Sequence, residues 1–226
     1  MSLTLAIDTS TDVRVGLAAD GAVLASAAVT DPRAHAEQLM PLIGATLQGA
    51  ARGLADVTQL VVGVGPGPFT GLRVGVVTAH TLAFALGVAV RGVCSLDVAA
   101  VAHARPAGHA GHARPAFSDG AGEFLVVSDA RRHEVYWARY AADGSRLAGP
   151  FVGPATELPD LPVTGPGATL AGGTSTPLDG GLLALAGSDL PDAGLSPLYL
   201  RRPDAAVPTT RKSTLLQPRL GPGLKR

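Results

Sequence analysis

The 226-residue chain carries 18 Lys and Arg against 18 Asp and Glu, so its formal charge is zero and no bulk electrostatic grip on nucleic acid is expected. With 46% hydrophobic and only 16% charged residues it has ample material for a buried core, and its single cysteine, Cys94, excludes an internal disulfide and fits a reducing compartment. The start, MSLTLAIDTS, has neither a basic leader nor a long apolar run, so a cytoplasmic protein without a membrane role is expected.

Leu3 to Ile7 reads as a buried strand ending in the turn Asp8-Thr9-Ser10-Thr11. Val13 to Ala18 is a second strand, Asp20-Gly21 a hairpin turn, and Ala22 to Val29 a third strand. Asp31-Pro32 breaks the sheet. A helix follows from about Ala34 to Ala50, with Leu39, Leu42, Ile43 and Leu47 on one face. Pro41 inside it predicts a kink or a late start.

The next stretch organises the chain. Leu60 to Val64 has the length and β-branched content of a buried strand, Gly65-Pro66-Gly67-Pro68 is a turn, and a helix begins near Phe69 with Thr70 as a candidate cap. A strand, a glycine turn and a helix together can cradle a phosphate. Here no Lys-Ser or Lys-Thr follows the glycines, the spacing Gly65-x-Gly67-x-x-x-Gly71 misses the dinucleotide fingerprint, and Pro66 and Pro68 remove two backbone donors. A structural tight turn is therefore favoured over a phosphate site. Gly67 is expected to need either a positive φ or bare backbone.

The helix after the turn has seventeen uncharged residues between Arg73 and Arg91. Leu72, Val76, Ala79, Ala83 and Leu86 form one apolar stripe, and Val74, Val77, Thr81, Phe84 and Ala85 form another on a different face. A helix apolar nearly all round is buried on more than one side. The run falls short of the roughly 20 residues that cross a bilayer, and Gly75, Thr78, His80 and Thr81 argue further against a span. The second stripe is expected to meet another protein.

A short strand from Val88 to Val93 and a helix from about Leu96 complete a β-β-β-α-β-α-β-α order, which implies a mixed sheet covered on both faces. Residues 103–123 lose all periodicity. His103, His109 and His112 lie there without a nearby Cys or carboxylate, so a solvated loop is favoured over a metal site. Strands resume at Phe124 to Asp129 and Glu134 to Tyr140, then short strands and Gly/Pro turns run to Leu200. The tail from Pro203 is basic and broken by proline.

This order matches one half of the actin/hexokinase/Hsp70-like α/β fold, two lobes with mixed central sheets. Ala6-Ile7-Asp8-Thr9-Ser10, His35-Ala36-Glu37-Gln38-Leu39-Met40-Pro41, Gly65-Pro66-Gly67-Pro68-Phe69-Thr70-Gly71-Leu72-Arg73-Val74-Gly75, Ser95-Leu96-Asp97, Asp129-Ala130-Arg131-Arg132-x-Glu134-Val135-Tyr136 and Tyr199-Leu200-Arg201 together resemble the TsaB (YeaZ) family. That resemblance implies a first lobe over residues 1–100, a smaller lobe over 101–203 and a basic tail over 204–226.

It also implies a non-catalytic partner of a TsaD-like paralogue in threonylcarbamoylation of the tRNA adenosine beside the anticodon, joined by a TsaE-like ATPase. The paralogue holds a metal through an His-x-x-x-His pair just after the strand that corresponds to Val88–Val93. Here that segment reads Cys94-Ser95-Leu96-Asp97-Val98-Ala99, so no metal site is expected, and no Ser/His/Asp arrangement points to peptidase chemistry. Pairing in the family runs through the first two helices, which places His35, Leu39, Met40, Ile43, Phe69, Arg73, Val74, Val77, Thr78 and Thr81 at the partner interface. A homodimer through the same face is expected when the paralogue is absent. RNA is expected to be met only through the complex. Asp8, Thr9, Ser10, Gly65 and Gly67 are the candidate vestigial nucleotide loops; no cofactor is expected on the chain itself, with a nucleotide at the partner interface left open. The alternative is a self-sufficient actin-like ATPase or small-molecule kinase, with Asp8 positioning a metal.

Overall fold

A computed structural model of the chain describes residues 2–30, 35–104 and 122–201. The first sheet holds β1 (Leu3–Asp8), β2 (Val13–Ala19), β3 (Ala22–Val29), β4 (Gln59–Gly63) and β5 (Ala89–Val93), in the order β3-β2-β1-β4-β5. β1 to β3 pair antiparallel, and β4 and β5 run parallel to β1. Alternation along β1 explains its place at the centre. Leu3, Leu5 and Ile7 face one side and Ala6 the other, and each side meets a different core.

On the first side lie α1 (His35–Gly49) and α2 (Phe69–Leu86), which pack Leu39, Ile43 and Leu47, and Val76, Ala79 and Leu82, onto the sheet. Pro41 sits inside α1 rather than at a late start. α2 begins directly after Pro68, its N-cap, and ends at Gly87, whose φ of 68° lets the N–H turn back to the Ala83 and Phe84 carbonyls. Thr70 makes no capping bond; it lies two residues past the N-cap and is exposed. By composition α2 is long and apolar enough to cross a membrane, yet Leu72, Val76, Ala79 and Ala83 are buried against the sheet.

The second sheet, β8-β7-β6-β9, is built from β6 (Phe124–Asp129), β7 (Glu134–Tyr140), β8 (Arg146–Pro154) and β9 (Val163–Thr164). Between the sheets runs α3 (Ser95–Ala104), whose Leu96, Ala99 and Ala100 pack with Phe124, Val126, Ala138 and Tyr140.

One element departs from the expected lobe boundary. Residues Gly180–Ala186 form a helix, α4, where short strands and turns were expected. It lies on the second face of the first sheet, packing Leu182, Leu183 and Ala186 with Ala6, Ala18 and Val61. The chain then stays with the first lobe: Ala193 N–H donates to the Gly92 carbonyl and Leu198 N–H to the Val64 carbonyl, both at 2.8 Å. Residues 101–203 are thus not one lobe. Glycine makes α4 possible: a Cβ on Gly16 would overlap the Gly180 backbone, so the helix rests directly on β2. Most of the expected 103–123 loop and all of the 204–226 tail lie outside the described residues.

Candidate functional site

The candidate nucleotide loops converge at the edge of the first sheet where β1 and β4 end. Asp8, Thr9 and Ser10 are buried, and the Asp8 carboxylate is fully engaged: Oδ1 accepts from Ser10 N–H at 2.7 Å and Ser10 Oγ at 2.6 Å, and Oδ2 from Ser95 Oγ at 2.6 Å. Burial pushes the Asp8 carboxyl above its usual range, against the opposing hydrogen bonds from Ser10 and Ser95. Gly65 N–H donates to Ser95 Oγ at 3.2 Å and its carbonyl accepts from Ser95 N–H at 2.8 Å. Thr9 Oγ1 donates to the Gly71 carbonyl at 2.8 Å.

The structure therefore brings all five loop residues together, and closes them on one another. Gly67 has an ordinary φ but lies against Ser10, so of the two expectations for it bare backbone holds. Gly65 carries a φ of 98°, outside the range of other residues. Donors that a phosphate would need are spent on Asp8 and Ser95, and Gly67 fills the space beside Ser10. Ser95, the residue joining both loops, belongs to the Ser95-Leu96-Asp97 motif, which was the available signal for it.

The segment after β5 is structural as well. Cys94 is fully buried and its thiol is pushed up to about 12, first by desolvation and then by the neighbouring Asp97 charge. Asp97 Oδ1 accepts from Tyr140 OH at 2.7 Å, with Arg146 Nε 3.4 Å away, while Oδ2 has no hydrogen-bond partner among the described residues. Burial raises the Asp97 carboxyl, partly offset by Tyr140 and Arg146. A neutral thiol and a carboxyl tied to Tyr140 are poor donors for a metal. No cluster of three metal-ligating side chains occurs among the described residues.

The expected interface residues divide. Leu39 and Ile43 are each 1% exposed and belong to the core, so they are removed from the interface set; α1 has one strong apolar stripe and the sheet takes it. Val74, Thr78 and Phe69 are half-buried on the flanks of α2. Met40 (47%), Val77 (62%), Arg73 and Thr81 are exposed. His35 opens α1, but its side chain lies outside the described residues.

Phe84, at 87%, is the most exposed large apolar side chain described and belongs with this set; its place in the second stripe, seven residues after Val77, was the signal. Tyr199 joins the face from the far end of the chain. Its ring centre lies 4.7 Å from that of Phe69 and its hydroxyl accepts from Arg73 Nε at 3.1 Å, while the Arg73 guanidinium stacks 3.7 Å over the Phe69 ring. The outcome is an outer face of α2 on which Val77 and Phe84 stand exposed beside one organised cation, Arg73, and the exposed His80 and Thr81.

Comparison with known proteins follows the same lines. The family model described as TsaD, tRNA N6-adenosine threonylcarbamoyltransferase, matches residues 24–169. An uncharacterised protein of Mycobacterium leprae is 41% identical over a 228-residue alignment covering 91% of this chain and 56% of its own. The tRNA threonylcarbamoyladenosine biosynthesis protein TsaB of Escherichia coli is 36% identical over 140 residues, 62% of this chain and 55% of its own. The chain thus spans little more than half the length of either relative. The structure of YeaZ from Pseudomonas aeruginosa superposes with a TM-score of 0.69 at 28% identity, covering 88% of this chain and all of that one.

Proposed function

The chain belongs to the TsaB/YeaZ branch of the TsaD-type family, with its actin/hexokinase-like fold, and from that premise we propose that it is a non-catalytic subunit of the machinery that threonylcarbamoylates tRNA. Its task is to dock a TsaD-type paralogue on the outer face of α1 and α2, with a TsaE-type ATPase joining the pair. The exposed stripe of α2 carries the reading: Val77 and Phe84 stand in water on a helix whose other face already fills the core. Standing seven residues apart, the 62% exposed Val77 and the 87% exposed Phe84 share one helix face, the spacing at which a helix presents anchors to a partner.

The closed loops support the same reading from the other direction. A kinase or ATPase of this fold needs Asp8 free to position a metal and backbone donors free for phosphates. Here Asp8 is occupied by Ser10 and Ser95, and Gly67 is pressed on Ser10.

Reconstitution tests the proposal. Purified chain alone should give no threonylcarbamoyl transfer to tRNA, and the paralogue with its ATPase should need this chain for multiple turnovers. Transfer by the isolated chain, or full activity of the paralogue without it, overturns the reading.

A further inference from the structure

The formal charge of zero is a sum of two unlike parts. Residues 1–200 hold 11 Arg and no Lys against 17 Asp and Glu, whereas residues 201–226 hold seven Lys and Arg against Asp204 alone. Both lysines of the chain, Lys212 and Lys225, fall in the second part. An acidic body with its basic charge gathered in one block has the pattern of a polyanion-binding arm, which neutrality of the whole conceals.

That block begins at a defined place in the fold. Arg201 is fastened to the turn between β6 and β7: Nη1 donates to the Ala130 carbonyl at 2.7 Å, and Nη2 lies 2.9 Å from the Glu134 carboxylate. The turn holds Arg131, Arg132 and His133, three consecutive residues with φ of 66°, 56° and 63°. Side chains rarely adopt that region. The Asp129 carboxylate, accepting from Arg131 N–H at 2.6 Å, and Ala130 N–H, donating to the Glu134 carbonyl at 3.0 Å, keep them in it. All three side chains are exposed. The Arg131 guanidinium meets Asp129 through one nitrogen at 3.2 Å and stays 64% exposed, a weak surface pair that a phosphate can replace.

The turn and the block that starts beside it therefore carry the same sign. Cations on the turn repel those that follow Arg201, and a shared external anion relieves both. Pro203, Pro208, Pro218 and Pro222 interrupt the sequence before an amphipathic helical period is reached, so it offers a lipid surface charge without an apolar face. A row of phosphates asks only for charge spaced along the chain, which Arg202, Arg211-Lys212, Arg219 and Lys225-Arg226 supply. We propose that the β6–β7 turn and residues 201–226 form one grip on the phosphate backbone of tRNA, so that this chain meets RNA directly and not only through its partners. The choice of tRNA rests on the proposed function; the grip on a polyanion rests on the charge.

Fluorescence anisotropy of a labelled, unmodified tRNA transcript titrated with the full-length chain tests it at about 50 and about 200 mM salt, with circular dichroism confirming that each variant folds. The paired changes Arg131→Ala with Arg132→Ala, and Arg211→Ala with Lys212→Ala, should each weaken binding about tenfold at the lower salt. Each should also reduce the slope of log affinity against log salt by about 1 to 2. All four changes together should weaken binding by about the product of the two effects. No saturable binding by the wild type, or a silent pair of either kind, overturns the grip. Binding to vesicles of phosphatidylserine and phosphatidylcholine as tight as to the transcript assigns the charge to a lipid surface and overturns it too. So does an Arg211/Lys212 variant that unfolds earlier yet binds the transcript as the wild type does, which turns the block onto the chain's own acidic residues. A wild type without affinity for the transcript that the paralogue still needs for turnover leaves the proposed function standing and removes only this inference.

Discussion

Gly67 rests on the backbone of Ser10, so close that a Cβ built on it would stand 2.5 Å from the Ser10 carbonyl oxygen and 2.9 Å from the Ser10 Cα. Both neighbours are main chain and cannot swing aside, so the turn and the end of β1 must separate to admit a methyl group. Gly67→Ala is therefore expected to cost about 1–3 kcal/mol in denaturant unfolding, the range of overpacked interiors. Unchanged stability with altered nucleotide affinity would instead mark the turn as a ligand loop.

The turn itself was legible because glycine and proline punctuate a chain whatever surrounds them, and the flanking strand and helix follow from their periods. What sequence could not assign was the use of each face. Leu39 and Met40 are adjacent apolar residues on α1, yet one is 1% and the other 47% exposed, and only the position of the sheet separates them. On α2 two stripes were visible, and the small residues beneath them set which faces inward: a side chain on Gly75 would collide with Thr9, so that face must lie on the sheet. α4 was illegible for a different reason. Gly-Gly-Leu-Leu-Ala-Leu-Ala is too short for a helical period to emerge, and its glycines lower local propensity while permitting the contact with β2. The available sign was Asp179, a capping residue placed directly before an apolar run.

Asp179 gives the second prediction. Its Oδ1 accepts from Gly181 N–H at 2.7 Å and Leu182 N–H at 3.3 Å, and from Ser26 Oγ of β3 at 2.8 Å, so one carboxylate both starts α4 and fastens it to the sheet. Asp179→Ala should cost about 1–2 kcal/mol in chemical denaturation. Asp179→Asn, which keeps an acceptor, should lose less; equal losses would show that the cap is not what holds the helix.

Cys94 should be inert to thiol reagents in the native protein. Nucleophilic attack needs thiolate, and burial next to Asp97 holds the thiol up at about 12 with no exposed surface. Labelling by an aromatic disulfide at pH 8 should be negligible until denaturant is added, then complete. Rapid labelling of folded protein would mean that the α3 start opens readily.

Asp97 makes stability depend on pH with a sign opposite to that of a surface ion pair. Its folded carboxyl is raised by burial, so between the usual carboxylate range and the folded value the native state binds more protons than the unfolded chain. The contribution is fully present below the unfolded value and is lost as pH rises through the folded one. Tyr140, Arg146 and Cys94 face the group, and among them only Arg146 opposes the rise by its charge. Relative to Asp97→Asn, the wild type should lose melting temperature as pH is raised from about 4 towards neutrality. A constant difference between the two across that range would show Asp97 ionised and satisfied in the fold.

The last prediction separates docking from folding on the same pair of helices. Phe84 is 87% exposed and Val77 62%, so Phe84→Glu and Val77→Glu leave each new carboxylate in water in the monomer and should change stability by no more than about 0.5 kcal/mol. In a complex that covers α2 the same charge is buried without a partner, and binding of the paralogue should fall by a hundredfold or more. Ile43→Ala inverts the pattern. At 1% exposure it leaves a cavity among Leu39, Leu47 and the sheet, costing about 2–5 kcal/mol, yet whatever remains folded presents the same outer face and should bind the paralogue as the wild type does. Unfolding curves and calorimetric titration on the three variants read both quantities at once. Should the two Glu variants unfold early and bind normally, α2 turns its second stripe inward and the docking face lies elsewhere on the molecule.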